Sequence, residues 1–469
     1  MRGPRRAEAN DAGASMTDAG AIDAAWETSV LPALCDYTRL ACLSPAFDSE
    51  WEAHGSLMAA AELLRQWVDD QDLGLTTEIV ILPGRTPVLL IDNGGTGDPI
   101  VLYGHMDKQP PLGVWRDGLG PYEPVRQGDL LYGRGTADDG YATFAAVTAL
   151  AAAGGGQGHV LVLIEASEES GSPDLAAYLE HLGPRLGTPR LVICLDSGGL
   201  SYDRLWLTSS LRGNLVATVT VDVLTEGIHS GVGGGVVPSS FRILRRMLSA
   251  IEDEHTGRIV LPELLGRGIP EAHLENLRAV AEEFPDVAAP TVPGLELLAD
   301  DPLALLAARS WGAALEVTGA DGLPRPAEAG NVLRPSTTLK LSLRLPPDVN
   351  AASANDALIS ALTTDEGAHV TIDVGGAAQG WVAEPLPADV AAVIARVSLQ
   401  RFGRSPGAVG EGGSIPFLAD LQHRFPGVGF VATGVLGPHS NAHGPNESLH
   451  IPMAKAVTHL VAELLAAGV

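Results

Sequence analysis

Cysteine is nearly absent, with Cys35, Cys42 and Cys194 the only three in 469 residues. Three thiols make no disulfide framework, so they read as buried thiols of a reducing, cytoplasmic compartment. Positive charge is also scarce. Thirty Lys and Arg stand against 57 Asp and Glu, for a formal net charge of −27 and a pI of about 4.7. Such a chain repels nucleic acid and anionic membranes apart from local basic patches, which argues against both as partners. It suits a protein that binds cations. No stretch is long and apolar enough for a membrane-spanning helix. Residues 1–15 are rich in Arg, Ala and Gly with no apolar segment behind them. They read as part of a disordered tail (1–20) rather than a secretory leader, and Met16 is a second candidate start. Internal repeats and long low-complexity segments are absent as well.

What the chain does contain is an alternation of helical patterns with short apolar strands, over a length sufficient for at least two domains. Residues 100–103, 161–164, 191–195 and 428–432 are runs of apolar residues without polar alternation, as expected of strands covered on both faces. Strands are also expected at 79–82 and 87–91. Helical patterns fall at 21–43, 57–68, 141–153, 173–182, 388–402 and 457–469. This is an α/β domain with a largely parallel sheet and flanking helices. After Leu211 the pattern changes. Residues 215–223 and 338–345 alternate apolar with polar, 370–374 adds a strand, and helices are expected at 239–251 and at 351–362, the latter capped by Asn350. These make an antiparallel sheet with two helices. Residues 252–330 are Pro-rich and receive no assignment. The simplest organisation is one α/β domain (21–210 and 379–469) interrupted by an inserted α+β domain (211–378).

Four of the buried strands end in chemistry-bearing residues. The first leads to His105 and Asp107, the second to the adjacent acids Glu168 and Glu169, the third to Asp196, and the fourth to a loop carrying His443. Asp138 stands at a turn before a helix. Open α/β sheets bind ligands just beyond the carboxyl ends of their strands. Two neighbouring carboxylates repel unless a cation or a shared proton holds them. Alone, Glu168-Glu169 could be a solvated turn and His105-x-Asp107 a structural pair; their joint placement at several strand ends argues for a ligand site. His105 and Asp107 point the same way in an extended chain, and a metal-bound imidazole commonly gives its other N–H to a carboxylate, a part Asp107 can play. Histidine and carboxylates from separate strands can hold two divalent ions if one carboxylate bridges, and such a pair activates water and polarises a carbonyl. Mixed ligation of this kind suits zinc, manganese or cobalt.

Other residues lie in the inserted domain and the last third of the chain. Arg344 falls on the polar face of its strand, where a guanidinium can meet a carboxylate bidentately; the plain alternative is a surface ion pair. His229 stands among Gly227, Gly231 and Gly233, in a loop able to approach a ligand closely, or is a hydrogen-bonded loop histidine. Ser414 suits loop capping as well as ligand contact. His439 and His450 are taken as structural.

In order along the chain, YGHMDKQP, LYGRGTADDG, EASEESGS, LDSGG, GIHSGVGGG, SLRLPP, GEGGSIP and AHGPNE resemble the motifs of the M20 metallopeptidase family. They are most similar to its cytosolic dipeptidase, carnosinase-like branch. The resemblance runs from about residue 44 to the end and is weakest over 252–330. It implies that His105, Asp138 and Asp196 hold one metal ion, and Asp138, Glu169 and His443 a second, with Asp138 bridging and zinc the first choice. It implies Glu168 as general base, Asp107 as support for His105, and a cis peptide between Asp138 and Asp139. An Asp at position 196 goes with the family's peptidases rather than its deacylases. The inserted domain would be a lid that makes a homodimer, His229 would stabilise the oxyanion in a neighbouring subunit's site, and Arg344 would clamp the substrate carboxylate with Asn331, Ser414 and the Gly412-Gly413 backbone near it. One departure stands out. The family usually has Lys after the paired acids, where this chain has Gly140. The activity implied is hydrolysis of dipeptides or short peptides with a free C-terminal carboxylate. Amide hydrolysis of N-acyl amino acids is the alternative within the same chemistry, and a non-catalytic metal or peptide binder the alternative outside it.

Overall fold

The computed structural model describes residues 17–286, 291–363 and 367–469, so the expected tail lies outside the described residues over 1–16. The chain forms two compact units. The first comprises the chain up to Leu207, Glu384–Gly407 and Phe425–Val469; the second comprises Thr208–Ala383 and Ala408–Arg424. The sequence alone ends the insertion at 378 and leaves 408–424 in the other domain. Gly407–Glu411, however, joins Trp206–Leu211 and Trp381–Val382 in a three-stranded sheet. That strand reads GAVGE and has no periodicity, so its pairing is invisible before folding.

The first unit is built on a six-stranded sheet in the order Thr76–Val80, Val88–Asp92, Val160–Glu165, Ile100–His105, Leu191–Cys194, Gly429–Ala432. The last four run parallel, while the first two are antiparallel additions. Every residue of Ile100–His105 and Val160–Glu165 is buried, as expected of unalternating apolar strands covered on both faces. Helix Ala142–Ala152 is itself almost wholly buried, and its Phe144 and Leu150 share a core with Leu460 and Leu464 of helix Ile451–Ala467. That last helix begins earlier than its Ala-Leu run suggests, because the His450 side chain caps it by accepting from the Met453 N–H. The helical pattern at 21–43 is broken into Ala19–Ala25, a π turn at Trp26–Val30, and Leu31–Thr38.

The second unit holds an antiparallel sheet in the order Ala314–Asp321, Ser336–Leu345, Gly213–Asp222, His369–Ala378. Leu215, Ala217, Val219 and Val221 on one central strand, and Leu339, Leu341, Leu343 and Leu345 on the other, form a core with helices Ser240–Ser249 and Ala351–Leu362. Asn350 caps the second helix by accepting from the Ser353 N–H. The edge strand Ala314–Asp321 went unassigned from sequence because a bulge between Val317 and Gly319 breaks its two-residue period.

Candidate metal centre

The parallel register brings the ends of four strands together at one edge of the sheet. His105 ends its strand, and Glu168 and Glu169 form a short 3₁₀ turn just after Val160–Glu165. Asp196 follows Leu191–Cys194 by two residues, and the loop after Gly429–Ala432 returns His443. Asp138, in the turn before helix Ala142–Ala152, lies between them. His105 Nε2 is 3.2 Å from Asp138 Oδ1 and 3.8 Å from Asp196 Oδ1. His443 Nε2 is 3.0 Å from Asp138 Oδ2 and 3.2 Å from Glu169 Oε2. Two triads result, His105/Asp138/Asp196 and Asp138/Glu169/His443, each with ligand atoms within 4.8 Å of one another and Asp138 common to both. The Asp138-Asp139 peptide is cis.

Around the triads lies a shell that sets their orientation. His105 Nδ1 meets the backbone carbonyl of Asp107 at 3.0 Å, nearer than the Asp107 carboxylate at 3.5 Å. The support expected from Asp107 thus comes chiefly from its main chain. Its carboxylate accepts instead from the N–H groups of Glu168 and Glu169, at 3.1 and 3.0 Å, and so fixes the acidic turn. Gln109 Nε2 donates to Glu169 Oε2 at 2.8 Å. Asp139 Oδ2 accepts from the His105 N–H at 3.2 Å. That approach requires Gly104, whose missing Cβ would stand 2.5 Å from the same Oδ2.

Two residues with no role assigned from sequence complete the shell. Arg134 and Glu447 form an ion pair at 2.5 Å, with side chains 1% and 0% exposed. Glu447 Oε1 accepts from the N–H groups of Ala137 and Asp138, and Arg134 Nη2 donates to the carbonyls of Pro110 and Gly444. The pair ties the Asp138 turn to the His443 loop. In that loop His439, Asn441, His443 and Asn446 all take positive φ, a conformation that persists only where the surroundings dictate it. The signal for the pair was in the sequence, as opposite charges inside two of the quoted motifs, but nothing in one dimension joins them.

Gly140 has a packing reason. A Cβ there would lie 2.1 Å from Tyr37 Cε1 and 2.3 Å from the Gly135 carbonyl oxygen, so no side chain fits. A buried cation is nonetheless present close by. Lys108 Nζ stands 4.1 Å above the Tyr37 ring and donates to the carbonyls of Tyr37, Thr38 and Leu40 at the end of helix Leu31–Thr38.

The cluster's electrostatics suit cations. Burial opposes ionisation of Asp138, but hydrogen bonds from His105 and His443 prevail and hold its carboxyl far below the usual range. Burial, reinforced by Asp196, pushes Glu168 well up; burial likewise raises Glu169 and Asp196. For His443, burial works downward and the bonds to Asp138 and Glu169 outweigh it, to about 11. Carboxylates crowded this way retain protons unless a cation replaces them. Two imidazoles and several carboxylates, with His105 Nδ1 engaged and Nε2 turned inward, fit a pair of divalent ions.

The remaining predicted residues all belong to the second unit. His229 is in the two-residue strand Ile228–His229, paired to Val332–Leu333, and its Nδ1 accepts from the Gly231 N–H at 3.0 Å. The same pairing brings Asn331 beside it, the Asn331 carbonyl accepting from the Ser230 N–H. Arg344 stands half-buried on Ser336–Leu345, opposite Asn214. Gly413 and Ser414 lie between Gly407–Glu411 and helix Pro416–Arg424.

Comparison with known proteins agrees with this geometry. The family model for Peptidase family M20/M25/M40 matches residues 101–467. The cysteinylglycine-S-conjugate dipeptidase of Corynebacterium striatum is 28% identical over 422 residues, 85% of this chain and 88% of that protein. The human Beta-Ala-His dipeptidase is 29% identical over 206 residues, 41% of this chain and 40% of that protein. Among solved structures, human carnosine dipeptidase 1 superposes with a TM-score of 0.78 at 20% identity, covering 96% of this chain and 98% of that one. The di-peptidase Dug1p of Saccharomyces cerevisiae gives 0.77 at 20% identity and the same coverage.

Proposed function

The chain belongs to peptidase family M20/M25/M40, and from that premise we propose that it is a dinuclear metal-dependent dipeptidase acting on substrates with a free C-terminal carboxylate. The observation that carries this is the pair of triads sharing Asp138. The cysteinylglycine-conjugate and Beta-Ala-His dipeptidases among its relatives favour a dipeptide over an N-acyl amino acid as substrate. His105, Asp138 and Asp196 would hold one ion, and Asp138, Glu169 and His443 the other; zinc is the first choice, with manganese or cobalt the alternatives. Two such ions supply an acidified water and a polarised scissile carbonyl. Glu168 takes the proton of the attacking water on its carboxylate and hands it to the departing amine nitrogen. Asp107 keeps Glu168 in place through the backbone N–H it binds. Arg344 holds the substrate carboxylate by charge-assisted hydrogen bonds, assisted by Asn331, Ser414 and Gly413. His229 donates to the developing oxyanion in the site of a second copy of the chain, within a homodimer made through the second unit.

The test is a panel of dipeptides, their C-terminal amides and N-acetyl amino acids, assayed with protein reconstituted with each metal and its metal content measured in parallel. Turnover of dipeptides, with amides poor and N-acetyl amino acids poorer, is the expected pattern. Preferential cleavage of N-acetyl amino acids would assign the deacylase activity instead. Two bound ions with no amide cleaved at all would leave a binder.

A further inference from the structure

A chain with this excess of acid gathers three guanidinium groups in one place in its second unit. Arg344 is one. Arg212 is the second. Leu211 and Gly213 are buried while Arg212 and Asn214 are half-buried, so Arg212 shares a face with Asn214, the cross-strand partner of Arg344. Arg212 Nε donates to the Gly412 carbonyl and Nη1 to the Gly312 carbonyl, each at 3.2 Å. Arg309 is the third, from the last turn of helix Pro302–Trp311. Gly412 packs between Arg212 and Arg309, since a Cβ there would be 3.0 Å from Arg212 Nη2 and 3.1 Å from the Arg309 carbonyl. The groups sense one another. Burial first, then Arg344 and Arg309, push Arg212 down to about 10.

Like charges held together and partly desolvated repel unless an anion joins them. The acid that acts on this group is Glu411, which bears on Arg309 and also accepts from Thr208 Oγ1 at 3.2 Å. Among the described residues the Arg344 guanidinium makes no hydrogen bond or ion pair, and the Arg212 guanidinium bonds only to carbonyls. Three cations against one carboxylate leave two positive charges unmatched. Structural capping accounts for Arg212 Nε and Nη1, and among the described residues it leaves Nη2 and the guanidinium groups of Arg344 and Arg309 without a hydrogen-bond partner in the protein.

We propose that Arg212, Arg309 and Arg344 form a subsite for two carboxylates, so that the preferred dipeptides carry Asp or Glu at the C-terminal position. The main-chain carboxylate meets Arg344, and the side-chain carboxylate meets Arg212 Nη2 and Arg309. This rests on the dipeptidase activity proposed above and adds the class of the C-terminal residue.

The experiment compares kcat/KM for Ala-Glu with Ala-Gln, and for Ala-Asp with Ala-Asn, using metal-loaded full-length protein. Each pair differs in charge and hardly in shape. The acidic member should lead by about 10–100-fold, the scale of charge-assisted hydrogen bonds, and the lead should shrink as salt is raised. Arg309→Gln should bring the Glu/Gln ratio close to one, and Arg309→Lys should retain part of it. Arg309 is the residue to change because Arg212 also closes a helix end and its loss would disturb the fold. A wild-type ratio near one, or a ratio that rises with salt, overturns the subsite while Ala-Gln turnover leaves the dipeptidase activity standing. A folded Arg309→Gln with an undiminished ratio overturns it too. If no dipeptide in the set is cleaved, the dipeptidase activity falls and the subsite with it.

Discussion

Glu168 and Glu169 are neighbours to which the proposed mechanism gives different tasks, and their surroundings differ accordingly. Glu169 Oε2 is engaged by His443 and Gln109, whereas Glu168 is held through its backbone N–H, and among the described residues no hydrogen bond engages its carboxyl. Glu168→Gln should therefore retain metal and lose about 10²–10⁴-fold in kcat, whereas Asp138→Ala should empty both sites. Elemental analysis beside turnover checks both, and a metal-replete Asp138→Ala would refute the bridge. The Arg134–Glu447 pair carries a second prediction. Removing one partner of a buried pair costs about 3–5 kcal/mol, because the other charge is left uncompensated. Arg134→Met should lower the urea midpoint accordingly and weaken metal binding by about 10–100-fold through the Asp138 turn and the His443 loop. A wild-type midpoint with wild-type metal affinity would show that the pair positions nothing. Gly140→Ala should cost about 1–3 kcal/mol or more, since the added methyl must displace the Tyr37 ring or the backbone at Gly135; thermal unfolding of the metal-loaded protein measures it.

At the scale of elements, legibility followed periodicity. The strands expected at 215–223 and 338–345 are Gly213–Asp222 and Ser336–Leu345, paired antiparallel with their apolar faces on the helices as the alternation required. The buried runs at 161–164 and 191–195, which lack alternation, are interior strands of the six-stranded sheet, buried along their whole length. Ala314–Asp321 was lost to its bulge, and Gly407–Glu411 to its lack of any pattern. Because the two units have separate cores, damage to one should stay local. Leu341 is wholly buried in the second unit's sheet, and Leu341→Ala should destabilise that sheet by about 2–5 kcal/mol. Hydrogen exchange should quicken across Ser336–Leu345 and Gly213–Asp222 while Ile100–His105 keeps its protection. Equal loss in both units would mean that they unfold as one.

At the scale of the whole molecule, the prediction is that His229 acts in the site of a second copy of the chain. It belongs to the second unit and the metal triads to the first. The sheet of the second unit has edge strands at Ala314–Asp321 and His369–Ala378 that can meet a second copy about a two-fold axis. His229→Ala and Glu168→Ala, each nearly inactive alone, should recover activity when their subunits are exchanged. One site of the mixed dimer then has both an intact Glu168 and an intact His229 from the other chain. Losing such a donor costs about 10²–10³-fold, so the recovery is measurable. No recovery, with exchange confirmed by native mass spectrometry, would place His229 in its own chain's site. Among the described residues, no helix is long and apolar enough to cross a membrane.

The sequence by itself determined the class of fold, because strand burial and alternation are written in local periodicity, and it named the residues of both triads, because eight short motifs occur in order. It could not decide what lies between those residues. That Asp107 supports His105 through its carbonyl and steadies the acidic turn with its carboxylate follows from the path of the backbone. That Arg134 meets Glu447 across 313 positions depends on the folded return of the His443 loop. That Gly140 leaves room for Tyr37, while Lys108 caps the first unit's second helix, depends on how that helix packs against the site. The clustering of Arg212, Arg309 and Arg344 is of the same kind. Arg344 stands out by its strand face and motif, but Arg212 and Arg309 are unremarkable charges in one dimension, and only the sheet register and the helix that ends at Trp311 bring the three to one place. Local pattern encodes which groups are present; the balance of charge and hydrogen bonding among them exists only after distant segments meet.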